Sequence, residues 1–369
     1  MGGEGSLAEP CLRIFEAPGK RLRPALTLAA AACGTDTAPD DALLHACAAV
    51  ELVHTATLIH DDIMDGAQDR RGVSSINAQE GPRVALLCGD YLLALAGFAG
   101  ATAGPGIGRQ IGSTIVAVCE GQIQELNESF NAMRSPDSIV RAMEGKTASL
   151  IRTACHVGAL CGGLPPVAVD ALSCYGQSFG ISFQIVDDVL DFVSSRELSG
   201  KPVMNDLRSG VYTLPVAFAR AGAKGDELVE LLEPEPGRPA PHGRHHPRDP
   251  HEPRDAGGQR WLDDEQVERA VEILCTGNHF RQAVDLALRY ATEAAQRLTS
   301  VLDGPTARGL AQLPAFYVED QLKRKAGDNA LGRELTARLT FHGETGGACF
   351  GAAVGAAGDT SRPGQAAAP

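Results

Sequence analysis

Residues 42–62 read ALLHACAAVELVHTATLIHDD. Apolar side chains recur at three- and four-residue spacing but cover more than one side, which predicts a long helix at the centre of a bundle rather than a surface helix with one apolar stripe. YGQSFGISFQIVDDVLDFV, residues 175–193, reads the same way. From about Pro24 to Leu232, Ala and Leu keep helical spacing with few β-branched alternations, and CGTDTAP, GATAGPGIG and CGGLPP punctuate the pattern. The expected fold class is all-α, a helical bundle.

Residues 1–330 are expected to form one domain with an insertion. That insertion, EPEPGRPAPHGRHHPRDPHEPRDAGG (Glu233–Gly258), carries too many prolines for a regular element and is predicted to be disordered. His242, His245, His246 and His251 lie in it without fixed partners, so a specific metal site is not expected there. Helical pattern resumes at WLDDEQVERAVEIL and runs to about Lys325, whereas residues 331–369 are a low-complexity tail, also predicted to be disordered.

The chain has 369 residues, of which 44% are hydrophobic, enough for a sizeable core. A formal net charge of -13 argues against a nucleic-acid surface, because counterion release from phosphates needs a basic footprint. Ten cysteines are scattered from Cys11 to Cys349 without CxxC pairs, as buried, reduced thiols would be. MGGEGSLAEP lacks a basic segment followed by an apolar core, and the apolar run ALLCGDYLLALAGFAG is broken by Asp90, so the expected location is the cytoplasm.

The two central segments share a second feature. Asp61, Asp62 and Asp65 in LIHDDIMD recur in type and spacing as Asp187, Asp188 and Asp191 in FQIVDDVLDF. On a helix, positions i, i+1 and i+4 fall within an arc of about 100°. Two such faces opposed across a bundle make an acidic cavity whose carboxylates repel unless cations lie between them. All-oxygen donors select hard ions, and Mg²⁺ in particular is completed by waters and substrate phosphates. A single motif reads equally well as a solvated acidic face, but two matched copies flanked by apolar residues do not. Cations suited to a diphosphate accompany them: Lys20, Arg21 and Arg23 in GKRLRP, Arg70 and Arg71 in DRRG, Lys146 in EGKTASL, and Lys201 in SGKPVMNDLRSGVYTLP.

These motifs, in this order from Gly19 to Lys325, resemble the trans-isoprenyl diphosphate synthases of the polyprenyl synthetase family, most of all its long-chain members. The resemblance implies an isoprenoid-synthase-type bundle around a deep central cavity, usually a homodimer, that condenses isopentenyl diphosphate head-to-tail with an allylic diphosphate. It implies that Asp61, Asp62, Asp65, Asp187, Asp188 and Asp191 hold Mg²⁺, three ions once diphosphate is bound, and that Arg70, Lys146, Thr147, Gln184 and Lys201 contact the allylic substrate. Lys20, Arg23, His54 and Arg71 would form the isopentenyl diphosphate site. The hydrophobic product implies transient membrane contact.

Four and five residues before Asp61 stand Thr57 and Ala56, where the family sets product length. Neither is bulky, so an open tunnel and a long product of the quinone side-chain kind are expected. Geranylgeranyl diphosphate synthesis, a non-catalytic subunit of a heteromeric enzyme and a class I terpene cyclase are the alternatives. The chain departs from the family in the short segment before APGKRLRP, in the insertion and tail, and in Val211, where DLRSGVYTLP has valine for the usual lysine.

Overall fold

The computed structural model describes residues 7–17, 19–34, 38–70, 72–193, 205–208, 210–232, 262, 264–325 and 335. The insertion 233–258, the tail apart from Leu335, Arg71 and Lys201 lie outside the described residues.

The elements are α1 (Ala8–Glu16), α2 (Leu22–Ala31), α3 (Asp41–Met64), a hairpin of β1 (Asp69–Arg70) and β2 (Val73–Ser74), α4 (Ile76–Glu80), α5 (Pro82–Ala103), α6 (Pro105–Asn127), α7 (Pro136–Met143), a π-helical turn (Glu144–Ala148), α8 (Ser149–Cys161) and α9 (Pro166–Val193). After these come α10 (Asn205–Arg208), α11 (Leu214–Arg220), α12 (Gly225–Leu232), α13 (Asp264–Thr276), α14 (His279–Thr299) and α15 (Pro305–Lys325). The all-α expectation holds, with the two-residue β pair the sole sheet among the described residues.

Local chemistry starts these helices where the breaks predict. Asp40 caps α3 by accepting from the Leu43 N–H at 2.8 Å. Proline occupies the first turn of α5 and α6, where its missing N–H costs nothing. Burial then decides their arrangement. α3 packs along α5, and α9 runs between α8 and α14. The main core joins Val50 and Val53 of α3, Ile151 of α8 and Leu172, Tyr175, Phe179 and Val186 of α9. Both aspartate-bearing helices are therefore central, as their all-round apolarity requires.

By length and hydropathy alone α3 and α5 could each cross a membrane. Both pack within the bundle, and α3 carries the first acidic motif into its interior. α5 also presents a row of exposed apolar side chains, Leu87, Tyr91 and Phe98, continued on α6 by Val116, Ile123 and Leu126.

Candidate active site

A cavity of about 970 Å³ opens between α2, α3, α6, α9 and the end of α15. Asp61 and Asp187, the first carboxylates of the two motifs, both line it, together with Lys20, Arg23, His54, Thr57, Arg70, Lys146, Thr147 and Gln184. Its remaining wall is largely apolar: Leu58, Leu86, Val118, Ile123, Leu126, Leu150 and Phe183.

The aspartates do not act alike, which corrects the expectation that each motif turns three carboxylates to one face. Asp62 is 1% exposed and is not among the residues that line the cavity. It accepts from Arg70, whose Nε lies 2.7 Å from Oδ1 and whose Nη2 reaches the same oxygen. The hairpin holds this pair together, because its register sets Arg70 opposite Val73 while Gly72 takes φ 79° at the turn. Asp188 is likewise buried and accepts from Gln184 Nε2 at 2.8 Å, and Gln184 Oε1 accepts from Thr147 Oγ1 at 2.7 Å. Asp191 accepts from the Asp206 backbone N–H. Asp65 is exposed one turn beyond Asp61. The second aspartate of each motif thus holds a neighbouring cavity-lining side chain.

Burial dominates the electrostatics of the acidic residues. Burial, with Asp65 and Glu125 close by, pushes the Asp61 carboxyl up to about 6. Burial raises Asp188 well above the usual carboxylate range, with Asp206 adding to it. Burial also raises Asp187, against the pull of Lys325 and Lys20. Asp206 is pushed up to about 8 by burial and then by Asp191. An unneutralised cluster of this kind fits hard cations. No three acidic or imidazole groups among the described residues converge on one point. The acidic side chains near the cavity offer the oxygen donors that hard divalent ions take.

Lys146 owes its place to a close crossing. It sits in the π-helical turn, and Gly145 there meets Gly121 of α6 so closely that side chains would collide. Its Nζ lies 2.5 Å from Glu125 Oε1. Burial works against its charge, but Glu125 and Asp61 outweigh this and hold its pKa above the ordinary lysine value.

GKRLRP is sorted by its backbone. Arg21 adopts φ 46°, a left-handed conformation, and pairs with Glu51, also on the cavity wall, and with the Phe15 carbonyl. Lys20 and Arg23 line the same cavity. Lys20 Nζ donates to Gln321 Oε1 at 3.1 Å and stands 5.5 Å from the Tyr317 ring centre.

The two chain-length positions separate. Thr57 lines the cavity, whereas Ala56 is fully buried among Cys11, Ile14, Ala85 and Cys88. One residue is about 100° of helix, enough to remove Ala56 from the wall. Val211 is half-buried, and its N–H donates to the Asp206 carbonyl at 2.8 Å.

Sequence reading missed Glu125, Tyr317, Gln321 and Lys325. The spacing of Lys323, Arg324 and Lys325 at a helix end was the only signal, and it reads equally well as a solvated charge run.

A model of the polyprenyl synthetase family matches residues 4–240. The nonaprenyl diphosphate synthase of Mycobacterium tuberculosis is 35% identical over 315 residues, covering 85% of this chain and 86% of the relative. The heptaprenyl diphosphate synthase component 2 of Geobacillus stearothermophilus is 38% identical over 232 residues, 63% of this chain and 72% of that one. The solved polyprenyl synthase of Caulobacter crescentus CB15, complexed with calcium and isoprenyl diphosphate, superposes with a TM-score of 0.73 at 28% identity, over 86% of this chain and 90% of that one. The chain belongs to the polyprenyl synthetase family. It is a trans-prenyltransferase, and the acidic cavity fits the use of divalent metal.

Proposed function

We propose that the protein elongates an allylic diphosphate with isopentenyl diphosphate, in the presence of Mg²⁺, to a long-chain trans-polyprenyl diphosphate. The observation that carries this reading is the meeting of Asp61 and Asp187 in one cavity, with cations around them and an apolar wall beyond. The nonaprenyl name of the Mycobacterium tuberculosis relative and the small Thr57 on the cavity wall support a long product.

Bound divalent ions, three in this reading, supply positive charge to the diphosphate. The protein's own part is orientation and electrostatics. Lys146 and Arg70 face the allylic diphosphate, and Lys20, Arg23 and His54 face isopentenyl diphosphate. The allylic C1–O bond breaks with its electron pair departing on pyrophosphate. The isopentenyl double bond then forms the new C–C bond, and a proton leaves to pyrophosphate, so no protein nucleophile is needed. The apolar wall excludes water from the allylic cation and receives the growing chain.

The exposed apolar row on α5 and α6 supports a homodimer, since a monomer gains nothing by exposing Phe98 and Val116. The name "component 2" carried by one relative supports a second reading, assembly with a different subunit. Incubating the purified chain with Mg²⁺, labelled isopentenyl diphosphate and farnesyl diphosphate, then separating dephosphorylated products by length, tests the main reading. A ladder ending at one length beyond geranylgeranyl is expected. No elongation by the chain alone, with elongation restored by a second subunit, would favour the heteromeric reading.

A further inference from the structure

Among the described residues, Arg21 and Phe130 are the two that combine a side chain with a positive φ. Phe130, at φ 60°, lies in the connection from α6 to α7 and is not among the residues that line the cavity. A left-handed backbone is unfavourable for a bulky residue, because its Cβ crowds the following carbonyl oxygen. Surrounding structure must hold such a residue in place, and here it does. Arg134 is 5% exposed and its Nε donates to Glu128 Oε2 at 2.6 Å, the Ser138 hydroxyl donates to the same carboxylate, and Arg220 of α11 donates to the Met133 carbonyl at 2.9 Å. Backbone strain held this firmly marks a place where an exact arrangement matters.

What the strained residue secures is a second turn. The Phe130 N–H donates to the Gly210 carbonyl at 2.8 Å, and the Phe130 ring occupies the space that a Cβ on Gly210 would need. Gly210 is itself left-handed, at φ 76°, so two residues of that conformation interlock and only one carries a side chain. From Gly210 the contacts run on through the backbone. Its N–H donates to the Leu207 carbonyl at 3.3 Å, the Val211 N–H donates to the Asp206 carbonyl at 2.8 Å, and Leu207 is fully buried. The turn closed by these bonds begins at Asp206, whose N–H lies 3.3 Å from Asp191 Oδ2. Asp191 is the third carboxylate of the second aspartate motif. A backbone donor aimed at one oxygen fixes the rotation of a carboxylate, and outer contacts of this kind govern the geometry of a metal ligand.

We infer that Phe130 is a positioning residue for the second aspartate motif: its ring and N–H hold the turn at Gly210, and that turn sets the Asp206 N–H against Asp191. The inference rests on the metal-dependent prenyltransferase reading and adds to it a residue from the α6–α7 connection that touches neither substrate nor metal. The end of α6 then serves both acidic motifs, through Glu125 beside Lys146 and Asp61, and through Phe130 behind Asp191.

The test is metal binding by the full-length chain, with Mn²⁺ and inorganic pyrophosphate as the probe and free Mn²⁺ read by electron paramagnetic resonance. Phe130→Ala keeps the N–H but loses the ring, and is expected to weaken Mn²⁺ binding about ten-fold, the usual effect of losing an outer contact to a metal ligand. Phe130→Leu keeps part of the bulk and should weaken it about three-fold, while Phe130→Tyr stays close to the parent. Hydrogen exchange at the Gly210 and Val211 amides should quicken in the same order. In the elongation assay the Mg²⁺ concentration for half-maximal turnover should rise about ten-fold in Phe130→Ala, with KM for isopentenyl diphosphate unchanged. The graded series keeps the test decisive if the alanine variant folds poorly, which circular dichroism reads. Faster exchange at the turn with parental Mn²⁺ affinity would make Phe130 a structural residue only and overturn the inference. An unmodified chain that binds no Mn²⁺ with pyrophosphate would instead overturn the functional reading on which it rests.

Discussion

Gly145 and Gly121 touch backbone to backbone: a Cβ on Gly145 would stand 2.8 Å from the Gly121 Cα. This crossing brings Lys146 and Thr147 out of a π-helical turn and onto the cavity wall. A side chain at either glycine meets main-chain atoms, which yield only if the helices separate. Gly121→Ala is therefore expected to destabilise the fold by about 1–3 kcal/mol and to lower turnover more than ten-fold. Thermal melting and product formation read the two effects. A variant with parental kcat would show that Lys146 does not depend on the crossing.

Product length should respond to residue 57 and not to residue 56. Thr57→Phe places a ring in the cavity and shortens the product by one or more isoprene units. Ala56→Phe forces the same ring between α3, α1 and α5. It should cost about 1–3 kcal/mol in stability and leave the length distribution unchanged in whatever protein folds. Chain-length profiles and melting curves of both variants decide the matter, and a shortened product from Ala56→Phe alone would reverse the assignment.

The metal-free protein should lose stability as pH rises. Asp61 lies near about 6 and Asp206 near about 8 in the fold, above the roughly 3.9 of an unfolded aspartate. The folded state thus binds these protons more tightly, so the stabilisation is complete below about pH 4 and disappears as pH passes through the folded values. A tenfold difference in proton affinity between the folded and unfolded chain corresponds to about 1.4 kcal/mol. In EDTA, the melting temperature should fall between pH 5 and 9, and Mg²⁺ with pyrophosphate should restore it most strongly at the alkaline end. A flat profile would mean that the carboxylates do not repel as described.

Asp61→Asn separates stability from function. It removes a charge held unfavourably in the empty cavity, so the metal-free variant should melt higher than the parent at pH 8. Its turnover should fall by two orders of magnitude or more. Differential scanning calorimetry with EDTA and an elongation assay with Mg²⁺ test the pair of outcomes, and a variant that is active and no more stable would contradict both.

Val211→Lys adds a cation next to the segment that closes on Asp206 through the Val211 N–H. It should raise kcat several-fold and lower the Asp206 pKa, read from the pH dependence of the melting temperature. A fall in kcat would show that the site is built around valine.

The helical bundle was legible because α3 and α9 are apolar nearly all round, and the cavity because two spaced triplets of aspartate interrupt that apolarity. The division of labour within each triplet was not. Spacing places Asp62 and Asp188 on the same arc as Asp61 and Asp187, but Arg70 and Gln184 claim them, and these partners lie on a hairpin and within the second motif's own helix. Glu125 was illegible for a different reason: it reaches Lys146 only through the two-glycine crossing, and neither Gly121 nor Gly145 stands out in a chain with 42 glycines. Ala56 and Thr57 were indistinguishable by size, and only the azimuth of α3 separates them.

Leu86, Ile123 and Leu126 line the cavity and are about half-exposed, and they stand on the same helices as the exposed Leu87, Tyr91 and Val116. On the proposed reading, the helices that receive the growing hydrocarbon are thus the ones that carry the exposed apolar row. In the dimer proposed above, product length and the choice of neighbouring subunit would therefore depend on the same few positions. A substitution there made to retune one will alter the other, so the two traits are expected to drift together in descendants of this chain.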